Sequence, residues 1–148
     1  MITVIKFQYN DEALASASMA IRQKVFVEEQ AIDATLEYDG QDEEATHYLL
    51  YYDEKPVGTA RWRETPKGIK LERFAVLSEY RNKGTGRILL DAVMKDVVNT
   101  ERPIYLHAQE KAVTYYLRAG FEIEGEAFYE AGIKHFRMVY RGVGNKLK

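Results

Sequence analysis

Residues Ile69 to Leu77 read as a strand, those after Gly84 repeat like a helix, and Arg81-Asn82-Lys83-Gly84-Thr85-Gly86-Arg87 forms the bend between them. No other stretch constrains the fold as much. A glycine bend that closes a strand and opens an amphipathic helix belongs to sheets covered by helices, since each element must bury one side against another. The two glycines let a backbone approach a ligand closely, and the first helical turn offers unpaired N–H groups at the positive end of the dipole. Arg81, Lys83 and Arg87 add three cations. Such a bend suits a phosphate or pyrophosphate, and its plain alternative is a turn with solvated charges. It is no Walker-type loop, because Gly-Lys-Ser/Thr does not follow four spacer residues, and the Gly-x-Gly-x-x-Gly dinucleotide pattern is absent.

The rest of the chain fits around this bend. Alternation from Thr3 to Phe7 predicts an opening strand, and Asn10-Asp11 offers a cap for a helix from Glu12 to about Glu29. Its stripe of Leu14, Ala17, Ile21 and Val25 faces inward, with Arg22, Lys24 and Glu28 placed elsewhere. Residues Glu37 to Glu44, with five carboxylates in eight positions, predict a solvated loop. Strands follow at Thr46 to Tyr52, Val57 to Arg63 and Ile69 to Leu77. Leu90, Val93, Met94 and Val97 mark a helix from Gly84 to about Asn99, and Ile104 to Ala108 a buried strand parallel to its predecessor. Ala112, Tyr115, Tyr116 and Ala119 make a further helix closed by Gly120, before a strand at Phe121. The last hairpin joins Phe128-Tyr129-Glu130 through Ala131-Gly132 to Ile133–Tyr140, and 142–148 reads as a loose tail. The order is strand, helix, three strands, helix, strand, helix, two strands, which predicts an α/β fold with a mixed sheet and helices on both faces.

At 148 residues and 46% hydrophobic the chain has the size of one domain, 1–148, with enough apolar surface to fold alone. Lys and Arg number 21 against 23 Asp and Glu, so no overall basic field favours nucleic acid. In Arg61-Trp62-Arg63 a strand sends the indole away from both guanidinium groups, which disfavours base stacking beside phosphate contacts. The absence of cysteine excludes disulfides and a cysteine nucleophile, and His47, His107 and His135 show no metal-binding spacing, so no metal is expected. With no basic leader before an apolar run and no long apolar stretch, the expectation is a soluble cytoplasmic protein without a membrane partner. An exposed edge strand leaves room for a homodimer. Glu72 is an acidic residue in an apolar strand, expected on the face of Phe74 and Val76; it reads either as a general base acting through water or as the ion-pair partner of an arginine such as Arg61. The acidic stretch could steer a cationic amine or simply be solvated.

Three features in sequence resemble the GNAT superfamily of acetyl-coenzyme A-dependent N-acetyltransferases. One is an Arg/Gln-x-x-Gly-x-Gly/Ala loop, met by Arg81, Gly84 and Gly86 directly after Leu71-Glu72-Arg73-Phe74-Ala75-Val76. Another is a small residue, an aromatic-Tyr pair and Gly-Phe, met by Ala112, Tyr115-Tyr116 and Gly120-Phe121. The third is Glu130-Ala131-Gly132-Ile133-Lys134-His135-Phe136-Arg137-Met138, similar to the closing hairpin of small bacterial members. The resemblance covers the first helix to the last strand. It implies a mostly antiparallel sheet with a splayed central parallel pair, and acetyl-coenzyme A as co-substrate. Arg81 and the amides of Asn82, Lys83, Gly84, Thr85, Gly86 and Arg87 would hold the pyrophosphate, and the backbone of Ala75 and Val76 the pantetheine arm. Many members have Asn where this chain has Gln109, which puts that second cofactor contact in doubt. Tyr116 takes the position of the tyrosine that protonates the departing sulfur; its own stripe also allows a packed aromatic. His135 lies in the hairpin near the implied acceptor pocket. The expected reaction is direct attack of a primary amine, small-molecule or peptide, on the thioester; the alternative is a non-catalytic acyl-coenzyme A binding module.

Overall fold

Among the described residues, runs of aromatic and β-branched residues become eight strands. They are β1 (Ile2–Gln8), β2 (Thr46–Tyr52), β3 (Lys55–Thr65), β4 (Gly68–Val76), β5 (Ile104–Gln109), β6 (Phe121–Ile123), β7 (Phe128–Glu130) and β8 (Ile133–Tyr140). Among the same residues four α-helices accompany them: α1 (Glu12–Arg22), α2 (Ala34–Glu37), α3 (Thr85–Val97) and α4 (Val113–Arg118). The structure is a computed structural model that describes residues 1–142; the tail expected over 142–148 lies outside the described residues from 143 onward. The hydrogen-bonded strand order is β1-β2-β3-β4-β5-β8-β6, with β7 paired to β8. Only β4–β5 is parallel, and helices lie on both faces, so the mixed, mostly antiparallel α/β fold expected from the sequence is the one observed. The strand expected at Phe121 is β6, which pairs with β8 beside the closing β7–β8 hairpin, so three strands follow α4 where the summed order gave two.

The chain divides into two compact units, one made of Met1–Arg63 and Glu72–Asn99, the other of Glu64–Leu71 and the residues from Thr100 on. In the first, Asp11 caps α1 by accepting from the Leu14 N–H at 3.2 Å. Phe7, Ala15, Ile21, Val25, Phe26, Leu49 and Ala75 form its core. The single helix expected from Glu12 to Glu29 is instead α1 followed by a π-helical stretch, Gln23–Glu29, in which the successive residues Val25 and Phe26 are both buried. Arg22, expected away from the core, is 1% exposed, because Glu37 and Asp42 meet its guanidinium there. Leu89, Leu90, Val93 and Val97 bury one side of α3, each contributing about 1.5–3 kcal/mol. Its far end is fixed by a relay: Trp62 Nε1 donates to the Tyr48 oxygen at 3.0 Å, and the Tyr48 hydroxyl donates to Asp96 at 2.6 Å.

Strand β4 departs from its expected alternation. Arg73 has φ 60°, a left-handed conformation inside a strand, so Leu71 and Glu72 are both buried in succession and Glu72 does not continue the two-residue period of Phe74 and Val76. That conformation costs about 1–3 kcal/mol. Salt bridges from Arg73 to Glu37 (3.1 Å) and Asp39 (3.2 Å) hold it in place.

In the second unit the parallel ladder pairs Ile69 with Ile104, Lys70 with Tyr105 and Leu71 with Leu106. Gly68 opens β4 at φ 138°, and a Cβ there would overlap the Pro103 carbonyl oxygen, which accepts the Ile69 N–H at 2.8 Å. Only glycine admits that approach. Gly120, at φ 99°, follows the last turn of α4. Ala131 (φ 53°) and Gly132 (φ 75°) make the two-residue turn between β7 and β8. Among the described residues, no helix is long and apolar enough to cross a membrane.

Candidate functional site

The glycine bend lies in the first unit. After β4, a 3₁₀ turn at Ser78–Tyr80 leads to Asn82 at φ 62° and Gly84 at φ 80°, and α3 starts at Thr85 with no side-chain cap. The Thr85 hydroxyl, buried, donates to the Tyr80 carbonyl at 2.6 Å and fixes the bend from behind. Ile88 N–H closes the first turn on the Gly84 carbonyl at 3.1 Å, which leaves the amides of Thr85, Gly86 and Arg87 without a helical acceptor. A Cβ at Gly84 would meet nothing within 4 Å, so the bend is open at that residue. Lys83 and Arg87 are exposed, Arg87 reaching Asp91 one turn on at 2.9 Å. Arg81 points elsewhere: its guanidinium binds both Glu29 oxygens, at 2.6 and 2.8 Å, and its Nε donates to the Val76 carbonyl at 2.8 Å. It braces the end of β4, where Ala75 is buried and Val76 half-buried.

Beside β4 stands a charge network that the sequence left unassembled. Arg61, fully buried, donates to Glu72 at 3.0 Å, to Asp42 at 2.7 Å and to Asp39 at 2.7 Å. Arg63 adds a second guanidinium on Glu72, at 2.7 Å. Arg22 binds Glu37 at 2.5 Å and Asp42 at 2.6 Å. Glu72 is therefore in the ion-paired arrangement, with both oxygens engaged. The acidic stretch is not wholly the solvated loop expected: Glu37 and Asp42 are buried against Arg22, Arg61 and Arg73, and Asp39, at the surface, pairs with Arg61. His47 Nε2 donates to the Asp42 carbonyl at 2.8 Å, and burial holds this imidazole below its ordinary pKa.

The carboxylates respond in opposite directions. Burial pushes Glu37 up, ahead of the opposing arginines. For Asp39, burial pushes up too, but hydrogen bonds from Arg61 and the Gln41 amide outweigh it and bring it from 3.8 to about 2. A carboxylate depressed on folding stabilises above its unfolded pKa and loses that contribution as pH falls through the folded value. Asp39→Asn is accordingly expected to lose less stability than the parent between pH 3.8 and about 2, checked by urea titrations across that window. Parallel acid profiles for the two proteins would contradict the pairing.

The second unit holds the remaining candidates. Tyr116 is buried on α4, edge-on to Tyr115 (5.1 Å) and Phe121 (5.8 Å), and burial raises its phenol pKa. Gln109 ends β5 opposite His135 on β8. His135 is buried, its Nδ1 donating to the Ile133 carbonyl at 2.7 Å, with Nε2 3.7 Å from Glu130. His107, on β5, brings Nδ1 to 3.5 Å from the other Glu130 oxygen. Phe128 stacks on His135 (5.9 Å) and meets His107 edge-on (4.9 Å). Of Glu130, His107 and His135, the sequence marks only His135 as a site residue. A signal for Glu130 was present: across a two-residue turn, Phe128-x-Glu130 and Ile133-x-His135 place Glu130 and His135 diagonally on one face. His107 joins through the β5–β8 pairing, which no local pattern reveals.

The family model described as "Acetyltransferase (GNAT) domain" matches residues 6–141. The "Uncharacterized N-acetyltransferase YjcF" of Bacillus subtilis is 38% identical over 132 residues, 88% of this chain and 94% of that one. An acyl-CoA N-acyltransferase from Pseudomonas aeruginosa superposes with a TM-score of 0.84 at 25% identity, over 95% of this chain and 99% of its own. An aminoglycoside 6'-N-acetyltransferase complexed with coenzyme A shares the fold, with a TM-score of 0.72 at 16% identity over 93% and 95% of the two chains.

Proposed function

The chain belongs to the GNAT acetyltransferase family and is an acyltransferase, and from that premise we propose that it moves an acetyl group from acetyl-coenzyme A to a primary amine by direct attack. One observation carries the choice of donor: the left-handed Gly84, the open space at that residue and the free amides of Thr85, Gly86 and Arg87 make an anion cradle at the start of a 13-residue helix. The coenzyme A held by the aminoglycoside enzyme of the same fold supports that reading. The donor supplies a thioester; the residues of this chain bind, orient and move protons. Asn82, Lys83, Gly84, Thr85, Gly86 and Arg87 line the diphosphate, Arg81 holds the end of β4 in position, and the Ala75–Val76 backbone and Gln109 contact the pantetheine arm. Tyr116 gives its proton to the departing thiolate. Glu72 anchors β4 through Arg61 and Arg63, and proton removal from the amine falls to another group. With no cysteine in the chain, an acyl-cysteine step is excluded.

The test combines binding with turnover. Acetyl-coenzyme A at a hundredfold excess over its Kd is expected to stabilise the fold by about 2.7 kcal/mol and to shift the amide resonances of Thr85, Gly86 and Arg87, while primary amines promote thiol release. Stabilisation without thiol release on any amine would favour the acyl-coenzyme A binding module. Unmoved amide resonances would remove the cradle.

A further inference from the structure

We propose that Glu130, His135 and His107 form a binding site for a primary ammonium group, with the Nε2 of His135 as acceptor of its proton. The assignment of that ammonium as the acyl acceptor rests on the acyl-transfer reading above; the site itself rests on geometry within the second unit. The Ile133 carbonyl can only accept, so the 2.7 Å bond from His135 fixes the proton of the neutral ring on Nδ1 and leaves a lone pair on Nε2. That lone pair looks at a carboxylate oxygen 3.7 Å away, beyond hydrogen-bond range. Two acceptors face one another at that distance. On the other side, His107 Nδ1 is buried without a hydrogen-bond partner among the described residues, 3.5 Å from the second carboxylate oxygen.

A nitrogen that donates at about 2.8 Å can reach both members of a pair 3.5 or 3.7 Å apart. A primary ammonium has N–H donors and one positive charge, matching the Glu130 carboxylate and His135 Nε2, with the His107 imidazole flanking the carboxylate on its other side. Glu130 is half exposed and the two imidazoles stand behind it, so a cation arriving from water meets the carboxylate first. Glu130 sits below the usual carboxylate range, chiefly through the His107 imidazole and then through Lys70 and His135, and is an anion at neutral pH. Of the other cations nearby, Lys70 acts on Glu130 from β4, Lys134 reaches Glu110 at 3.4 Å, and Arg137 lies over the Tyr105 ring at 4.3 Å and bonds Glu124 at 3.0 Å. The three groups are not spaced as ligands of a single metal ion.

In the step this supports, the ammonium gives one proton to His135 Nε2, forming an imidazolium beside Glu130 and a neutral amine. The amine lone pair forms the C–N bond to the thioester carbonyl carbon as the C–S bond breaks. A second nitrogen proton leaves as the amide forms and replaces the one taken by the thiolate, so one proton per turnover passes from His135 to solvent. The experiment is NMR titration of the imidazole resonances of the full chain with n-propylammonium, against tetramethylammonium, which lacks N–H donors, and n-propanol, which lacks charge. Saturable shifts of His135 and His107 with n-propylammonium alone, His47 staying still, are expected; Glu130→Gln should raise the apparent Kd about tenfold or more, equivalent to about 1.4 kcal/mol. The same response to tetramethylammonium, or to n-propylammonium in Glu130→Gln, would overturn the site. His135→Gln and Glu130→Gln are also assayed for thiol release. An unchanged kcat/KM in both returns proton removal to another group and rejects the site as the acceptor's. No turnover in the parent refutes the acyl-transfer reading instead, and the NMR arm then decides the ammonium site alone.

Discussion

Tyr116→Phe is expected to fold as the parent does and to turn over about 10²–10⁴-fold more slowly. The substitution removes one oxygen and keeps the ring that packs edge-on against Tyr115 and Phe121. Among the described residues the Tyr116 hydroxyl has no hydrogen-bond partner, so its loss strands no buried donor or acceptor. Burial raises the phenol pKa, which keeps the proton on the oxygen through the neutral range, where it is available to the sulfur as the C–S bond breaks. Single-turnover acyl transfer and thermal unfolding, measured on the same preparation, separate chemistry from folding. Equal single-turnover rates would cancel the acid role and leave Tyr116 as packing.

Arg61→Ala is the largest stability change expected in the chain, a loss of about 3–5 kcal/mol. Alanine would leave Asp39, Asp42 and Glu72 around a vacated site, each losing the guanidinium it shares with the others, though Arg22, Arg63 and Arg73 remain beside them. Uncompensated buried charge is far costlier than a missing surface pair. Urea unfolding is the suitable measurement, because guanidinium chloride would screen the interaction under study. A loss below about 1 kcal/mol would mean that water enters and hydrates the carboxylates.

Much of the fold was legible because periodicity is local. The β2–β3 hairpin, α3, α4 with its closing Gly120 and the β7–β8 turn follow from neighbours a few residues apart. What escaped depends on distant partners. Arg22 looks like a surface cation until Glu37 and Asp42, 15 and 20 residues later, arrive beside it. Arg73 gives no warning of a left-handed backbone, since arginine has no preference for one; only its grip on Glu37 and Asp39 makes that conformation affordable. The candidate site divides the same way. The glycine bend is contiguous and was read directly, whereas Glu130 and His107 reach His135 only through strand pairing.

The charge network also has a consequence for how the chain assembles. Its cations sit on α1, β3 and β4, and three of its anions arrive on the segment from Glu37 to Asp42. A partly formed state in which β3 has paired but that segment has not docked would hold Arg61 dehydrated with most of its counter-charge still in water, and such a state lies high in free energy. Segment docking and strand closure are thereby tied into a single all-or-none event, and the arginines act as a checkpoint against half-built forms of the first unit.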